Sequence, residues 1–496
     1  MSYVSKIKLQ SQLTLFDVTN LVVGAIIGAD IYVASTYGAQ YLGPFSLVVW
    51  VIAGLMAIMI ALSFAQCASL LPRVGGPYAY AREAWGPFAG FIVGWSLWLA
   101  EWVSLAVFPV AFVRYLTFFL PGLDLISQTA FKGLFVLFLI ATNIFGVRAA
   151  GRTNDILTIV KLAPLILFAV VGLSFVFVNP SAAASNFSPF LPAGFENFGL
   201  ALVLIFWAYA GFEVSTIPAE EIKDAKRTIP RAIIVGIGIV TVFYLVTNIV
   251  LFAVVPSTTL ASNPAAANAP IAFATANVLS WSLALALVGK TIVGGGALIS
   301  VAGSDESGMI GTSRLGYALA ADGLFPRIFA KIHPKYKTPY LAIIIQAVTA
   351  LIAAVVGQLQ ILMATSVFLL AVAYVGTCLS VFWLRRKFPT PQSRWETSSL
   401  IPILGIIFSV FLISQCGFVQ IAAGLLMLLV GIPIYIRYSP KKELTVIKNA
   451  LIAREVVLEK AYRQEDRFLA HLLRHIKRGY RRIRGKEQTW QTAEKD

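Results

Sequence analysis

Apolar residues in this chain come in long unbroken runs, without the strict alternation or narrow helical stripes of soluble elements. From about Leu13 to Tyr37, Pro44 to Leu71, Pro87 to Leu120 and Phe131 to Val147 most positions are apolar, and such runs recur as far as Tyr438. A run of about 20 such residues is the length of a helix that crosses a bilayer. Lipid cannot satisfy free amides and carbonyls, so these runs are helical unless they close a barrel. Barrel strands alternate over about 10 residues, and these runs do not alternate. The pattern predicts an all-α integral membrane protein of roughly twelve spans. The fifth covers about Asp155 to Val178, the sixth Phe198 to Pro218, the seventh Ala232 to Val255 and the eighth Ser280 to Ile310. The ninth to twelfth begin near Tyr340, Ile361, Leu400 and Val419, and an uncharged stretch rich in Ala, Asn and Pro before the eighth reads as a loop. The first run is too long, and lacks the small-residue cleavage site, to be a removed signal peptide.

Charge gives the runs an orientation. Only 12% of residues are charged against 58% hydrophobic, and the net charge is +16. An excess of that size can mark a nucleic-acid binder, but here the basic residues sit in alternate loops. Lys6 and Lys8, Arg73 and Arg82, Arg148 and Arg152, Lys226 to Arg231, Lys331 to Lys337 and Arg385 to Lys387 fall on one side, while the opposite loops hold essentially only Lys132. This is the positive-inside pattern, and it predicts a multi-pass protein of the cell membrane with both termini cytoplasmic and no nucleic acid partner. After Tyr438, residues such as Leu458, Tyr462, Leu469, Leu472 and Ile476 recur at helical spacing among many Arg and Lys. Residues 439–496 thus read as a basic amphipathic tail, lying either on the anionic inner leaflet or in solvent. The cysteines Cys67, Cys378 and Cys416 all lie inside apolar runs, as small hydrophobes would. His333, His471 and His475 lie in the cytoplasmic segments, and no metal-ligand spacing, nucleophile elbow or phosphate loop appears. No enzyme chemistry and no cofactor are therefore expected.

Two spans are interrupted. Val22-Val23-Gly24-Ala25-Ile26-Ile27-Gly28-Ala29-Asp30-Ile31-Tyr32 places two glycines and a carboxylate at the middle of the first. Glycine weakens a helix, and an Asp at a helix centre costs about 2.5–3.5 kcal/mol, so such a residue faces protein or water. The sixth carries Phe206-Trp207-Ala208-Tyr209-Ala210-Gly211-Phe212-Glu213, with Pro218 beyond. Broken helices at corresponding positions of two halves point to an inverted-repeat transporter with its site at the breaks. Half-helix N-termini there favour anionic groups, and freed carbonyls favour cations. Asp30 is either part of that site or a helix-capping residue that holds the break.

Other charges also lie inside spans. Lys161, in Ile159-Val160-Lys161-Leu162-Ala163-Pro164, is either a coupling group or a lysine snorkelling to the cytoplasmic surface. Ser304-Asp305-Glu306-Ser307 puts two acids side by side in the eighth span, about 100° apart on a helix, so at most one faces Lys161. Glu101 and Lys290 are further intramembrane charges, and the neighbouring Trp95, Trp98 and Trp102 read as packing.

Four motifs in order carry a family resemblance. They are Gly24-Ala25-Ile26-Ile27-Gly28-Ala29-Asp30-Ile31-Tyr32; Gly211-Phe212-Glu213 with Glu220-Glu221-Ile222-Lys223 and Arg227-Thr228-Ile229-Pro230-Arg231; Ser313-Arg314-Leu315-Gly316-Tyr317-Ala318-Leu319-Ala320 into Asp322-Gly323-Leu324-Phe325-Pro326; and Pro334-Lys335-Tyr336-Lys337-Thr338-Pro339-Tyr340. Together they resemble the amino acid–polyamine–organocation transporters over residues 1–438. The resemblance implies a LeuT-type inverted repeat of five plus five helices, about 13–178 and 198–384, with two additional C-terminal transmembrane helices. It implies a substrate site at Ile27, Gly28, Ala29 and Asp30, whose amides meet a carboxylate. The carbonyls of Ala210 and Gly211 meet an amine, and Trp207 packs over the substrate as a gate. Several proton-coupled members carry a lysine where Lys161 stands. This implies coupling through Lys161, toward carbonyls near Gly24 and the face holding Ser300 and Asp305, with a proton gradient rather than sodium as the driving force. The chain departs from the family pattern at Asp30, where a glycine is usual. A carboxylate there would repel a substrate carboxylate unless it is protonated or paired.

The expected function is a proton-coupled secondary transporter of amino acids, with an amine or polyamine carrier that uses Asp30 for the cationic group as the alternative. A channel or receptor is a different class, but no filter-like repeat is visible.

Overall fold

The computed structural model describes residues 13–71, 75–145, 150–192, 194–213, 222–388 and 394–439. Expectations resting on Lys6, Lys8, Arg73, Arg148, Pro218, Glu220, Glu221 and the tail from residue 440 onward lie outside the described residues. The described chain is helical nearly throughout. A capping box opens α1 (Leu15–Ile26): the Thr14 amide donates to Asp17 Oδ2 at 2.8 Å, and the Asp17 amide reaches back to Thr14 Oγ1. Ile27 is extended, and α2 (Ala29–Leu42) restarts the span beyond Gly28. Then follow α3 (Ser46–Leu70), the short surface helix α4 (Gly76–Trp85), α5 (Pro87–Phe119), α6 (Leu125–Phe145) and α7 (Ala150–Val178).

The second half begins with a single turn and a half, α8 (Pro180–Ser185), and α9 (Phe198–Trp207), which stops before Ala208-Tyr209-Ala210-Gly211. The amides of Ala208, Tyr209 and Ala210 bond to carbonyls three residues back, so the helix tightens and unwinds rather than continuing to Pro218. Next come α10 (Ala225–Val254), the short helices α11 (Ser257–Ser262), α12 (Pro264–Asn268) and α13 (Pro270–Val278), and α14 (Leu283–Ala321). Last are α15 (Tyr340–Val356), α16 (Leu359–Lys387), the single turn α17 (Arg394–Thr397), α18 (Leu400–Gln415) and α19 (Phe418–Tyr438).

Two boundaries differ from expectation. The uncharged stretch before the eighth span is not an open loop: Asn263, Pro264 and Pro270 start short helices, the Asn263 side chain capping two amides. The eighth span runs on to Ala321, so the Ser313–Ala320 motif lies on helix α14. Among the described residues, eight helical segments are long and apolar enough to cross a membrane, and four shorter apolar helices accompany them.

Burial separates the inner helices from those facing lipid. The most apolar window of α5 is 72% buried and that of α16 67%, against 22% for α6 and for α19. α5 therefore forms the core, with α16, α14, α15 and α4 packed on it, while α3 and α1 pack on α10. The exposed Leu134, Leu137, Phe138, Leu425, Leu426 and Leu429 of α6 and α19 form an apolar outer face, as a lipid-facing surface requires. At one end of the bundle Arg82 of α4 pairs with Asp322 at the end of α14, and Lys387 pairs with Glu83 at 2.6 Å.

Candidate functional site

The two breaks meet at the middle of the molecule. Gly211, with φ +113°, lies so close to the end of α1 that a Cβ there would stand 2.6 Å from the Ala25 carbonyl oxygen. At the other break a Cβ on Gly28 would meet Ser304 Oγ at 1.9 Å. Glycine is required at both points, once for its backbone angle and once for contact with α14. Tyr244 of α10 ties the breaks together. Its buried hydroxyl lies 3.0 Å from the Ala208 carbonyl and 3.2 Å from the Ile26 carbonyl, the freed ends of α9 and α1.

Between the breaks lies a cavity of about 120 Å³. One water needs roughly 10–15 Å³ by this kind of measure, so the space suits a small organic molecule rather than a bare ion. Asp30, Trp207, Ala210 and Gly211 line it together with Gly24 and Ala25. Ile27 and Gly28 form the break itself but lie behind that lining, and the side chain of Ala29 is outside the described residues. Asp30 stands in the first turn of α2, its carboxyl bonded to its own backbone amide. It does not cap the helix from the N-cap position, which is Gly28. Trp207 roofs the cavity against Phe108, the ring centroids 5.9 Å apart, and its Nε1 donates to Ser104 Oγ at 3.2 Å. Leu21 and Leu315 line the cavity toward the end that carries Arg82 and Asp322.

Glu101 and Glu213 line the same space and were not among the expected site residues. Glu101 turns away from the tryptophans beside it in sequence. Trp95 and Trp98 stack at 5.3 Å and pack on Phe325, while the Trp102 Nε1 donates to Thr349. Glu213 Oε2 accepts from the Gly211 amide at 3.1 Å and from the Tyr374 hydroxyl at 3.2 Å, and its carboxyl meets that of Glu101. Both acids had a signal in the sequence, one as an intramembrane charge and one inside a motif. Their meeting across α5 and the second break had none.

Lys161 is buried, and its ammonium donates to the Gly24 carbonyl at 3.4 Å and to Ser304 Oγ at 3.3 Å. It thus bridges α7, α1 and α14, a correction to the expected contact with Ser300 and Asp305. Ser304 is the residue on that face, whereas Ser300 Oγ and both Asp305 carboxylate oxygens have no hydrogen-bond partner among the described residues. One step of about 100° along α14 carries Asp305 away from the lysine. The two bonds are long for an ammonium, whose charge-assisted contacts usually run about 2.7–2.9 Å, so the bridge is a loose one. Lys290 lies over the Phe118 ring, away from the cavity.

Known proteins are similar to this chain over most of its length. The branched-chain amino acid permease BcaP of Bacillus subtilis (strain 168) is 31% identical over 87% of this chain and 94% of its own length. The methylthioribose transporter of the same organism is 27% identical over 87% of this chain and 94% of its own, and the serine/threonine exchanger SteT 26% over 88% and 98%. Among solved structures, MhsT in complex with L-phenylalanine superposes with a TM-score of 0.61 at 13% identity, covering 83% of this chain and 99% of its own, a likeness of LeuT-type fold alone. The model of the family described as amino acid permease matches residues 13–435. Since that match takes in both broken helices, the cavity between them and every span on either side, the chain belongs to the amino acid permease family, a family of transporters and not of enzymes.

Proposed function

We propose that the chain is a secondary active transporter of amino acids, built as two inverted five-helix repeats with α18 and α19 outside them. The observation that carries this reading is the pair of broken helices, tied through Tyr244 and facing a cavity roofed by Trp207. The amides at the start of α2 suit a carboxylate, and the carbonyls at the end of α1 suit an ammonium. Relatives named for branched-chain amino acids and for serine and threonine support the substrate class. The loop charges support cytoplasmic termini in the cell membrane.

The driving force we propose is a proton gradient. The Lys161 ammonium occupies the place between Gly24 and Ser304 that a monovalent cation would need, which argues against sodium there. A specific observation also favours cationic substrates. Asp30, Glu101 and Glu213 all line the cavity, and among the described residues no lysine or arginine is in its lining. Asp30 moreover engages an amide of the helix start that a substrate carboxylate would use.

The test is uptake of labelled neutral and cationic amino acids and diamines into proteoliposomes under an imposed proton gradient. Accumulation that collapses with a protonophore supports the reading. Equal uptake with and without any ion gradient sinks the active-transport reading.

A further inference from the structure

We propose that Glu101 and Glu213 hold one proton between them while the cavity is empty, and that a cationic group of the substrate displaces it, making the pair a proton-for-cation exchange site. This rests on the transporter reading above and adds to it a second ion-exchange site, separate from Lys161.

The geometry is the starting point. Two carboxyl groups that meet inside a protein cannot both keep a full charge without an intervening proton or cation. Glu213 is pinned: Gly211 and Tyr374 both donate to its Oε2, and ionised oxygen is the better acceptor of such bonds. The proton therefore resides mainly on Glu101, which reaches in from α5. Around the pair stand Asp30 from α2, Tyr374 from α16 and the serines Ser104 and Ser304. At the neighbouring bridge Lys161 of α7 stands within electrostatic reach of Asp30 of α2 and of Glu306 of α14, and Tyr244 of α10 within reach of Asp30. Among the described residues no basic side chain is in the cavity lining.

Charge conservation then favours exchange. The pair with its proton carries one negative charge, and two carboxylates with a bound ammonium or guanidinium also carry one. Swapping one for the other leaves the buried charge unchanged, whereas adding a cation without losing the proton, or the reverse, does not. Exchange thus avoids the main electrostatic penalty of moving charge in a low-dielectric site. The substrate that uses this site bears a second cationic group besides its α-ammonium, as lysine and ornithine do, or is a diamine.

Glu101→Gln tests it, because glutamine keeps a donor toward Glu213 and has no proton to give. Binding of L-lysine and putrescine to the purified protein is measured calorimetrically from pH 6 to 8, in buffers of different ionisation enthalpy. The wild type is expected to release about one proton per ligand and to bind about tenfold tighter per pH unit gained. The variant is expected to release none and to show a flat profile. A wild type that binds these ligands without releasing protons overturns the exchange, as does a variant with the wild-type slope. The wild-type measurement stands alone if the variant fails to fold. Tight binding of neutral amino acids beside no binding of the dibasic ligands sinks the exchange pair and leaves the transporter intact. Failure of the proteoliposome assay for every amino acid and diamine sinks both.

Discussion

Gly28 shows how closely the first break is built against its neighbour. Its missing Cβ is the space that Ser304 occupies, with Ser304 Cβ 2.6 Å from where it would lie. Gly28→Ala should therefore overpack the contact by about 1–3 kcal/mol and lower the melting temperature. Gly28→Ala with Ser304→Gly should recover most of that loss, because the second change removes the atoms in the way; a double variant no more stable than the single one would show that the strain lies elsewhere. Trp207 belongs to the same scale. Its ring covers the cavity and packs on Phe108, an aromatic contact worth about 0.5–1.5 kcal/mol beyond area. Trp207→Ala should weaken substrate binding roughly three- to tenfold or more while the protein stays folded. Trp207→Phe should fall between, keeping the ring and losing the bond to Ser104. Unchanged affinity in the alanine variant would refute the covering role. Both residues were legible in the sequence, as a glycine in a spanning helix and an aromatic one turn before a break.

At the scale of elements, the site depends on which helices are held together and how firmly. Tyr244 makes a buried tie, its single hydroxyl proton shared between two carbonyls freed by the breaks. Nothing in the run of α10 singles it out from other aromatic residues, so only the fold identifies it. Lys161 makes a loose tie between α7, α1 and α14. In its charged form it holds these helices together, and loss of its proton removes the donor charge that both acceptors attract. Substrate release and proton release would then be linked through one bridge. Lys161→Ala should abolish accumulation driven by an imposed proton gradient, while substrate binding measured without a gradient is retained in part. If the variant still concentrates substrate on a pH jump, the lysine only packs. The sequence marked Lys161 as an outlier and pointed it to Gly24 and to the face holding Ser300 and Asp305; Gly24 is met, but on α14 the partner is Ser304, one residue short of Asp305. A one-residue error is enough to turn a side chain by about 100°.

Over the whole molecule the two ends differ. The cavity lining runs from Trp207 toward Leu21 and Leu315, at the end with Arg82 and Asp322. The opposite end is tied across three elements. Arg114 of α5 donates to the Tyr37 hydroxyl of α2 and to the Asn268 side chain at the end of α12, both at 3.2 Å. Asn268 in turn donates to Thr117 at 3.2 Å, and Thr36 reaches the Ala267 carbonyl at 3.0 Å. This network holds α2 and the short helices against the core helix α5. Arg114→Ala should loosen it and raise the population open at that end. The check is a cysteine at position 104 labelled by a membrane-impermeant maleimide from that side, the native Cys67, Cys378 and Cys416 being buried. Labelling several-fold faster in the Arg114→Ala background is expected, and an unchanged rate would mean that closure rests on apolar packing alone.

The apolar runs, by themselves, determined that the chain is a bundle of spanning helices, because backbone groups in lipid admit only helices or closed barrels and these runs lack the alternation of barrel strands. They also showed where two of those helices fail, since glycine and small polar residues weaken a helix by local chemistry that needs no partner. The family could be read from four short motifs because each is a run of residues near one another in the chain. What the sequence could not contain is which charges face one another. Glu101 and Glu213 are 112 positions apart, and the interval from Lys161 to Ser304 is longer still. Such meetings follow from the rotation of each helix about its axis and from how α5, α7 and α14 cross, which are set by the packing of the whole bundle. A carboxyl pair, a lysine bridge and a hydroxyl between two broken helices are products of that packing, and they exist only once the helices have come together.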